Sequence, residues 1–535
     1  MPHVKTGPVQ VETPEEIARE IATFDELQSK LRRQWEGIRS SPHWEHTSVV
    51  VPSISFDQEE LSKIAGVPYY EERLLFTLMR LRHPGAHVIY VTGRPVHPEI
   101  VDYYLQLLVG VPASHARKRV AFFCVQDASP QPLSRKIWER PRLVARIRKL
   151  FGDPDRAYLT CFNSSVWERK LAVALGIPLN GLDPSLVHLG TKSGSRETFR
   201  AAGVPCPAGF EHLHTKDEIL EALSELEKQR PGLRRAVLKL NDGFSGEGNA
   251  LLTYPKDLPK SGKARLDALG EALADLEWSA EEETTAWYFR KFGEMGGVVE
   301  EFVEAREVRS PSAQVRIRPD GSCELLSTHE QLLGGQTGQV YLGCRFPAKD
   351  DYRLALQRAA LQVAETLAAQ GVVSRLAVDF LAVRDPGEEW RIYAIEINLR
   401  MGGTTHPFMA LQFLTGGELV PEDGLFLSRY GQHKYYVATD GLVSPSYRGL
   451  LPEDLMEILS KHGLHYQPST ETGVLFHMIG ALSEFGKVGV TCLGNSPEEA
   501  EQFYRWTVEV LDQETGAQKR GQMQTMLDQS LPHME

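Results

Sequence analysis

The chain has 535 residues, of which 42% are hydrophobic and 24% charged, as expected for a soluble globular protein with roughly three or four domains. A net charge of −12 lacks the basic excess of nucleic-acid-binding proteins, and no apolar run approaches the ~18 residues of a membrane span. The six scattered cysteines form no C-x-x-C pair, and the start does not resemble a signal peptide, so we expect a protein of the reducing cytoplasm.

The first third of the chain alternates between strand and helix patterns. Residues 14–40 predict an amphipathic helix or helix pair, and residues 47–185 predict a parallel α/β sheet of the Rossmann type. Because G-x-G-x-x-G is absent, we assign no dinucleotide to it. Ligands tend to bind at loops after such strands, where Arg94 either holds a substrate carboxylate or is a turn arginine.

Two further regions follow. Residues 186–425 are rich in strands, with a hairpin turn at 319–321 and an apolar-patterned helix over 351–371 that ends at Gly371. Residues 426–535 mix strands with a helix introduced by Ser496 and Glu499, a capping-box signature. The sequence therefore predicts four parts: a helical segment 1–46, an α/β domain 47–185, a larger domain 186–425 and a small α+β domain 426–535.

The segment AVLKLNDGFSGEGNALL places a lysine on an apolar strand before a glycine-rich loop. Lys239 precedes Gly243, Ser245, Gly246 and Gly248, and a second strand follows. Glycines let backbone N–H groups wrap an anion, and a nearby lysine adds positive charge. The loop is not a P-loop, because G-x-x-x-x-G-K-[ST] is absent. A plain flexible hairpin is the alternative interpretation.

An acidic strand and an isolated lysine provide two weaker signals. In GGVVEEFVEAREV, Glu300 and Glu301 point to opposite faces of a strand, so at least one carboxylate points inward. Inward acids there, with backbone groups at Phe302 and Val303, suit an adenine and a ribose; solvated acids at a sheet edge are the alternative. Lys192, just before a predicted helix, is by itself an ordinary surface lysine.

A hairpin, LAVDFLAV followed by WRIYAIEINLR, contains the most informative residues. Glu396, Asn398 and Arg400 fall at every second position and share one strand face, which Asp379 on the partner strand joins. Charged and amide groups on an otherwise apolar hairpin are costly unless something pairs with them. Mg²⁺ prefers these oxygen ligands, whereas the alternative is a polar face in contact with water.

Together, in this order, these clusters resemble the ATP-grasp superfamily over residues 184–417. The whole chain is similar to a narrower group, the pheganomycin-type peptide ligases, through RSPSAQVRI, THEQLLGGQTGQVYLGCRFPA and INLRMGGTTHPF. The resemblance implies a Rossmann-like pre-ATP-grasp domain, an ATP-grasp fold and a small α+β C-terminal domain.

The resemblance also implies roles for individual residues. Lys192, Lys239 and the glycine loop would contact ATP phosphates, Glu300, Glu301, Phe302 and Val303 would hold adenine, and Glu307 would hold ribose. Asp379, Glu396 and Asn398 would bind Mg²⁺, two ions in this family's pattern, with Mn²⁺ as a substitute. Arg400 would face the transferred phosphate. The doubled acid leaves the choice between Glu300 and Glu301 open.

The expected activity is ADP-forming ligation of a carboxylate and an amine through an acyl phosphate, on amino-acid or peptide substrates. We expect neither a nucleic acid nor a membrane as a partner, and a homodimer is the default assembly. The alternatives are a small-molecule phosphotransferase and a non-catalytic nucleotide-binding protein. Four residues near the site bind substrate carboxylates or form salt bridges: Arg306, Arg309, Arg345 and His406. The pair His212 and His214 is a weak metal-site candidate.

Overall fold

The computed structural model describes residues 12–56, 58, 61, 64–243, 248–278, 284–334 and 340–516. Two helices open the chain, α1 (Pro14–Gln28) and α2 (Leu31–Ser40). Thr13 caps α1 in a capping box with Glu16, and its Oγ1 accepts a hydrogen bond from the Glu16 N–H at 3.2 Å. The predicted helix pair is therefore present.

A four-stranded parallel sheet in the order β3-β2-β1-β4 forms the next unit. Its apolar strands are buried between helices, as a doubly covered parallel sheet requires. The elements are β1 (His46–Val51), a 3₁₀ segment (Val67–Arg82), β2 (Ala86–Thr92), α3 (Pro98–Gln106), α4 (Ala113–Arg117), β3 (Val120–Cys124), α5 (Leu133–Trp138), α6 (Pro141–Phe151), β4 (Ala157–Cys161) and α7 (Val166–Leu175).

A five-stranded antiparallel sheet in the order β5-β9-β6-β7-β8 follows, with helices packed on its apolar face. The elements from here to the end of this sheet are a 3₁₀ turn (Pro184–Gly190), α8 (Lys192–Ala202), β5 (Gly209–Leu213), α9 (Lys216–Gln229), β6 (Arg235–Leu240), β7 (Asn249–Thr253), α10 (Lys263–Ala272), β8 (Glu277–Trp278), α11 (Thr285–Met295) and β9 (Gly297–Glu301).

A larger antiparallel sheet faces it, in the order β10-β14-β11-β12-β13-β18-β20-β19, with β15 paired to β14. Its central helix α12 packs on the apolar side of β11 and β12. The elements are β10 (Glu307–Arg309), β11 (Pro311–Ile317), β12 (Cys323–Gly334), β13 (Val340–Phe346), α12 (Asp350–Ala369), β14 (Ser374–Arg384), β15 (Arg391–Asn398), α13 (Thr405–Thr415), β16 (Glu418–Leu419) and β17 (Phe426–Leu427).

The C-terminal part continues this sheet, because its strand β18 (Tyr435–Val443) pairs with β13. Cys344, Arg345 and Phe346 of β13 lie opposite Ala438, Val437 and Tyr436, respectively. The remaining elements are a 3₁₀ turn (Pro445–Tyr447), α14 (Pro452–His462), β19 (Gly473–His477), α15 (Ala481–Phe485), β20 (Lys487–Gly494) and α16 (Pro497–Thr515). Its strands thus share a sheet with the preceding region, which the sequence pattern did not indicate. No helix among the described residues has the length and apolarity needed to cross a bilayer.

Candidate functional site

The β14–β15 hairpin brings its polar residues together as the alternation predicts. Asp379 lies opposite Glu396 and Ala377 lies opposite Asn398, with a register irregularity directly after Asp379. Val378, Phe380 and Ile397 on the other face are buried under α12. Burial of that apolar face fixes the register, since a shift of one residue would exchange the two faces.

Asp379 is held in place by two amides. Gln331 Nε2 donates to its Oδ1 at 2.8 Å, and Asn398 Nδ2 donates to its Oδ2 at 3.0 Å. Burial and then repulsion by Glu396 raise the pKa of the Asp379 carboxyl to about 7. Two close, half-buried carboxylates need positive charge nearby, and Lys192 Nζ supplies some of it at 2.5 Å from Glu396 Oε1.

Lys192 is the first residue of α8 rather than the residue before it. Thr191 caps the helix, its Oγ1 accepting from the Gly194 N–H at 3.1 Å. A Cβ at Gly194 would lie 2.1 Å from the His188 carbonyl oxygen, so only glycine allows this tight approach. The Lys192 N–H donates to the Asn241 carbonyl at 3.1 Å, which ties the start of α8 to the end of β6.

The opposite sheet contributes a buried ion-pair triad. Lys239 Nζ lies 2.5 Å from Glu300 Oε2, and Arg196 Nη1 lies 2.6 Å from Glu300 Oε1. Burial by itself would raise the pKa of the Glu300 carboxyl, but Lys239 and Arg196 outweigh it and hold the pKa below its ordinary value. Glu300 is therefore the inward acid of the doubled pair, and two cations occupy both of its oxygens.

Glu301 and the residues after it form the neighbouring wall. Glu301 Oε1 accepts from the Ala208 N–H at 2.7 Å, and the Phe302 N–H donates to the Arg235 carbonyl at 3.1 Å. The Arg235 guanidinium stacks over the Phe302 ring, 4.1 Å from its centre. This packing keeps the backbone at Phe302 and Val303 in a fixed position beside the cleft.

The two sheets enclose a cavity of about 960 Å³, which we call the central cleft, a volume large enough for a nucleotide and part of a second molecule. Most of the residues predicted from the sequence line it: Lys192, Lys239, Gly243, Glu300, Glu301, Phe302, Val303, Asp379, Glu396, Asn398 and Arg400. The sequence reasoning missed Glu304, which directly follows Val303, and further polar lining residues from other segments: Tyr70, Arg73, Gln331, Asp440 and Lys487.

Two predicted residues lie outside the described lining of the cleft. Glu307 is paired with Arg384, whose Nη2 lies 2.9 Å from Glu307 Oε1. Gly248 has a positive φ of 77° and accepts at its carbonyl from the Leu240 N–H at 3.0 Å. Ser245 and Gly246 lie outside the described residues.

The weaker sequence candidates have other partners. Arg345 Nε lies 2.8 Å from Glu501, and Arg94 Nη1 lies 3.4 Å from Glu484. The His406 ring is buried against His477, with the ring centres 4.1 Å apart. Arg306 and Arg309 are not part of the described lining.

His212 Nε2 lies 2.7 Å from Glu197, a surface ion pair. Within the part of the chain that the structure describes, no group of three or more His, Cys, Asp or Glu side chains is placed to hold a metal ion. The H-x-H motif therefore gains no support as a metal site.

The hairpin residues nevertheless fit a hard cation. Asp379, Glu396 and Asn398 provide two carboxylates and one amide oxygen, the donor types that Mg²⁺ prefers. Burial and the neighbouring Glu396 raise the pKa of Asp379 despite Lys192 and Arg400, and a divalent cation bound there would favour its ionised form.

Comparison with known proteins agrees with this geometry. A family model described as "IQCH-like, ATP-grasp" matches residues 184–261 and 266–421, and one described as "PGM1 C-terminal domain" matches residues 454–507. The chain is 31% identical over 468 residues to the L-propargylglycine–L-glutamate ligase of Streptantibioticus cattleyicolor, covering 86% of this chain and 92% of that protein.

This chain is an ATP-grasp ligase. The likeness to the pheganomycin-type group predicted from the sequence is confirmed, as are the ATP-grasp fold and ATP-dependent amide-bond formation as the class of reaction. The ligase is also 23% identical to IQ motif-containing protein H of Danio rerio over 75% of this chain, but spans only 42% of that protein.

Solved structures agree with the fold of the ligase. The biotin carboxylase domain of Hydrogenobacter thermophilus 2-oxoglutarate carboxylase superposes with a TM-score of 0.51 at 14% identity, covering 86% of this chain and 89% of that one. Rhizobium etli pyruvate carboxylase gives a TM-score of 0.50 at 15% identity, covering 87% of this chain and 37% of that one. At this identity the likeness concerns the fold alone.

Proposed function

We propose that the ligase joins the carboxylate of one amino-acid or peptide substrate to the amine of another, through an acyl phosphate and with release of ADP and phosphate. The observation that carries the proposal is the single cleft in which cations and oxygen ligands from two facing sheets meet: Lys192, Lys239, Asp379, Glu396, Asn398 and Arg400. Phosphoryl transfer requires mainly positioning and charge neutralisation, which these groups suit.

On this proposal, ATP lies between the two sheets. Lys239 and Lys192 contact its phosphates, and the backbone at Phe302 and Val303 contacts adenine. Both Glu300 oxygens pair with cations, and the Glu301 carboxylate is held by the Ala208 N–H and Arg230. Either acid would therefore contact adenine through its backbone. Glu300 would then hold Lys239 in position.

The ribose assignment has two candidates. Glu307 follows the family pattern, but it pairs with Arg384 outside the described lining. Glu304 lines the cleft and pairs with Arg235, its Oε1 lying 2.7 Å from Arg235 Nη2. We therefore propose Glu304 as the first candidate for the ribose contact and Glu307 as the second.

Asp379, Glu396 and Asn398 would hold Mg²⁺, with two ions expected and Mn²⁺ as a substitute. When bound, Mg²⁺ supplies positive charge to the phosphates during transfer. Arg400, at the end of β15, faces the same place and would stabilise the transferred phosphoryl group. Lys192 Nζ pairs with Glu396 Oε1 at 2.5 Å. Once Mg²⁺ also neutralises the Glu396 carboxylate, Lys192 would turn towards the phosphates.

The test is ADP release with pairs of amino acids, starting with the two named for the Streptantibioticus relative, L-propargylglycine and L-glutamate. Ligation predicts an amide product in the mass spectrum that requires both substrates together. A stable phosphorylated substrate formed without an amine would instead show a phosphotransferase and refute the proposal.

The metal assignment has its own variant. Glu396→Gln keeps the size of the side chain but removes the charge, and we expect ADP release to fall at least 1000-fold because a metal ligand and the Lys192 pair are lost together. Glu389→Gln, exposed in the turn of the same hairpin, is the matched control and should retain full activity. Undiminished turnover of Glu396→Gln would refute the assignment.

A further inference from the structure

A second cavity of about 560 Å³ lies between α2, the parallel sheet and the large sheet. Its charge is unusual for a chain with a net charge of −12. Six arginines line it and no Asp or Glu is found among its described lining residues; the arginines are Arg39, Arg80, Arg82, Arg316, Arg375 and Arg400. We call it the arginine cavity.

Two of these arginines are direct neighbours on adjacent strands. Arg316 on β11 lies opposite Arg375 on β14 in the antiparallel register. Like charges directly opposite each other destabilise a sheet. Glu324 lies across from Arg316 on β12, but its carboxylate pairs with Arg318, whose Nη2 is 2.8 Å from Glu324 Oε2. No other described carboxylate pairs with Arg316 or Arg375.

The guanidinium of Arg375 is compensated, within the described part of the chain, only by Glu324, whose carboxylate pairs with Arg318 instead. Its Nη1 nitrogen is buried and has no hydrogen-bond partner among the described residues. Burial, followed by repulsion from Arg316 and Arg80, lowers the pKa of Arg375 to about 9, so the group stays charged at neutral pH. Arg375 as a whole is half-buried, but a charged group with a buried, unpaired nitrogen is costly, and an anion in the cavity would offset that cost.

The imidazole of His83 adds one more polar group to the wall of the same cavity. Its Nδ1 accepts from the Gly85 N–H at 3.2 Å, which places the ring N–H on Nε2. That Nε2 is buried, lacks a partner and belongs to a residue that lines the cavity. It is therefore a further unpaired donor, whereas the remaining wall is largely apolar, with Trp35, Met79 and Phe413.

The arginine cavity and the central cleft meet. Phe162 and Arg400 line both, and Arg400 is the residue proposed to face the transferred phosphoryl group. A molecule in the arginine cavity would therefore lie beside Arg400.

We propose that the arginine cavity binds a carboxylate of an organic-acid substrate other than the one that reacts, with Arg316 and Arg375 as its ion-pair partners and the apolar wall against its carbon skeleton. Paired guanidinium groups match carboxylate oxygens in geometry as well as charge. That the arginine cavity is a substrate subsite rests on the proposed function, whereas its binding of a carboxylate does not.

The first test measures binding directly, by calorimetric titration of octanoate and of its neutral analogue octanamide. We expect octanoate to bind the unaltered protein at least 10-fold more tightly than octanamide, and this preference to disappear in Arg375→Met and in Arg316→Met. Arg375→Lys, which keeps the charge, should retain part of it, and the exposed Arg358→Met should retain all of it. Equal binding of the two compounds would overturn the proposal.

Folding of the variants is not expected to be impaired, because each Met substitution removes one of two repelling charges and should leave the melting temperature equal or higher. A lowered melting temperature with retained octanoate preference would show a structural role instead and overturn the proposal.

The second test concerns the subsite. For a substrate pair that supports ADP release, Arg375→Met should raise KM for the acidic substrate at least 10-fold while KM for ATP stays unchanged. Failure of all pairs to release ADP would count against the proposed function, yet the octanoate preference would still be measurable. If octanoate binding depends on the arginines but Arg375→Met leaves KM for the acidic substrate unchanged, the cavity is not a substrate subsite.

Discussion

Asp379→Asn should make the protein more stable at alkaline pH while abolishing its activity. The carboxyl has a pKa of about 7 in the folded chain against an ordinary value of 3.8, because it is buried and lies beside Glu396. Three pH units at about 1.4 kcal/mol each set an upper bound of about 4 kcal/mol for the cost of ionising it.

The sign of the pH dependence follows from the raised pKa. Below about pH 4 the carboxyl is protonated in both the folded and the unfolded chain and contributes no cost. Between about pH 4 and pH 7 the unfolded chain loses the proton first, so stability falls, and above pH 7 the full cost is present. Asparagine avoids that cost but loses one of the hydrogen bonds from Gln331 and Asn398, worth about 1 kcal/mol.

We therefore expect Asp379→Asn to gain about 2 to 3 kcal/mol in free energy of unfolding at pH 8 and less than about 1 kcal/mol at pH 5. Urea denaturation at both pH values measures this, with Asp257→Asn, at an exposed position, as the control. Adding Mg²⁺ at pH 8 should stabilise the unaltered protein and leave Asp379→Asn unaffected. An equal stability difference at both pH values, or an equal response to Mg²⁺, would refute the reasoning.

Three further substitutions test individual contacts. Glu300→Gln leaves buried Lys239 without a carboxylate and Arg196 with Glu211 alone, and it should cost about 3 kcal/mol in unfolding free energy. Glu301→Gln should cost under about 1 kcal/mol, and equal losses by urea denaturation would contradict the triad. Glu304→Gln should raise KM for ATP about 10-fold, whereas Glu307→Gln should leave this KM nearly unchanged. The reverse pattern would assign the ribose contact to Glu307. Lys192→Met should lower kcat at least 100-fold in the ADP-release assay without changing the melting temperature by more than a few degrees, and a fully active variant would exclude Lys192 from the phosphate site.

The sequence alone predicted the strands and the faces that their polar residues share. Period-two alternation fixes which side chains point together, so Glu396, Asn398 and Arg400 were grouped correctly, and the adjacent acids Glu300 and Glu301 were correctly split between two faces. The hairpin that brings Asp379 to this face also followed from a local turn, and the register places Asp379 opposite Glu396. These features depend only on neighbours along the chain.

The tertiary structure decided everything that depends on which distant strands pair. Gln331 reaches Asp379 from β12, and Arg196 competes for Glu300 from α8, contacts that no spacing along the chain reveals. The C-terminal strands extend the large sheet because β18 pairs with β13. Arg316 and Arg375 look like unremarkable strand residues in the sequence, and only the register of β11 against β14 places their two charges side by side. Periodicity determines the face of one strand, whereas charge balance depends on all the elements that pack against it.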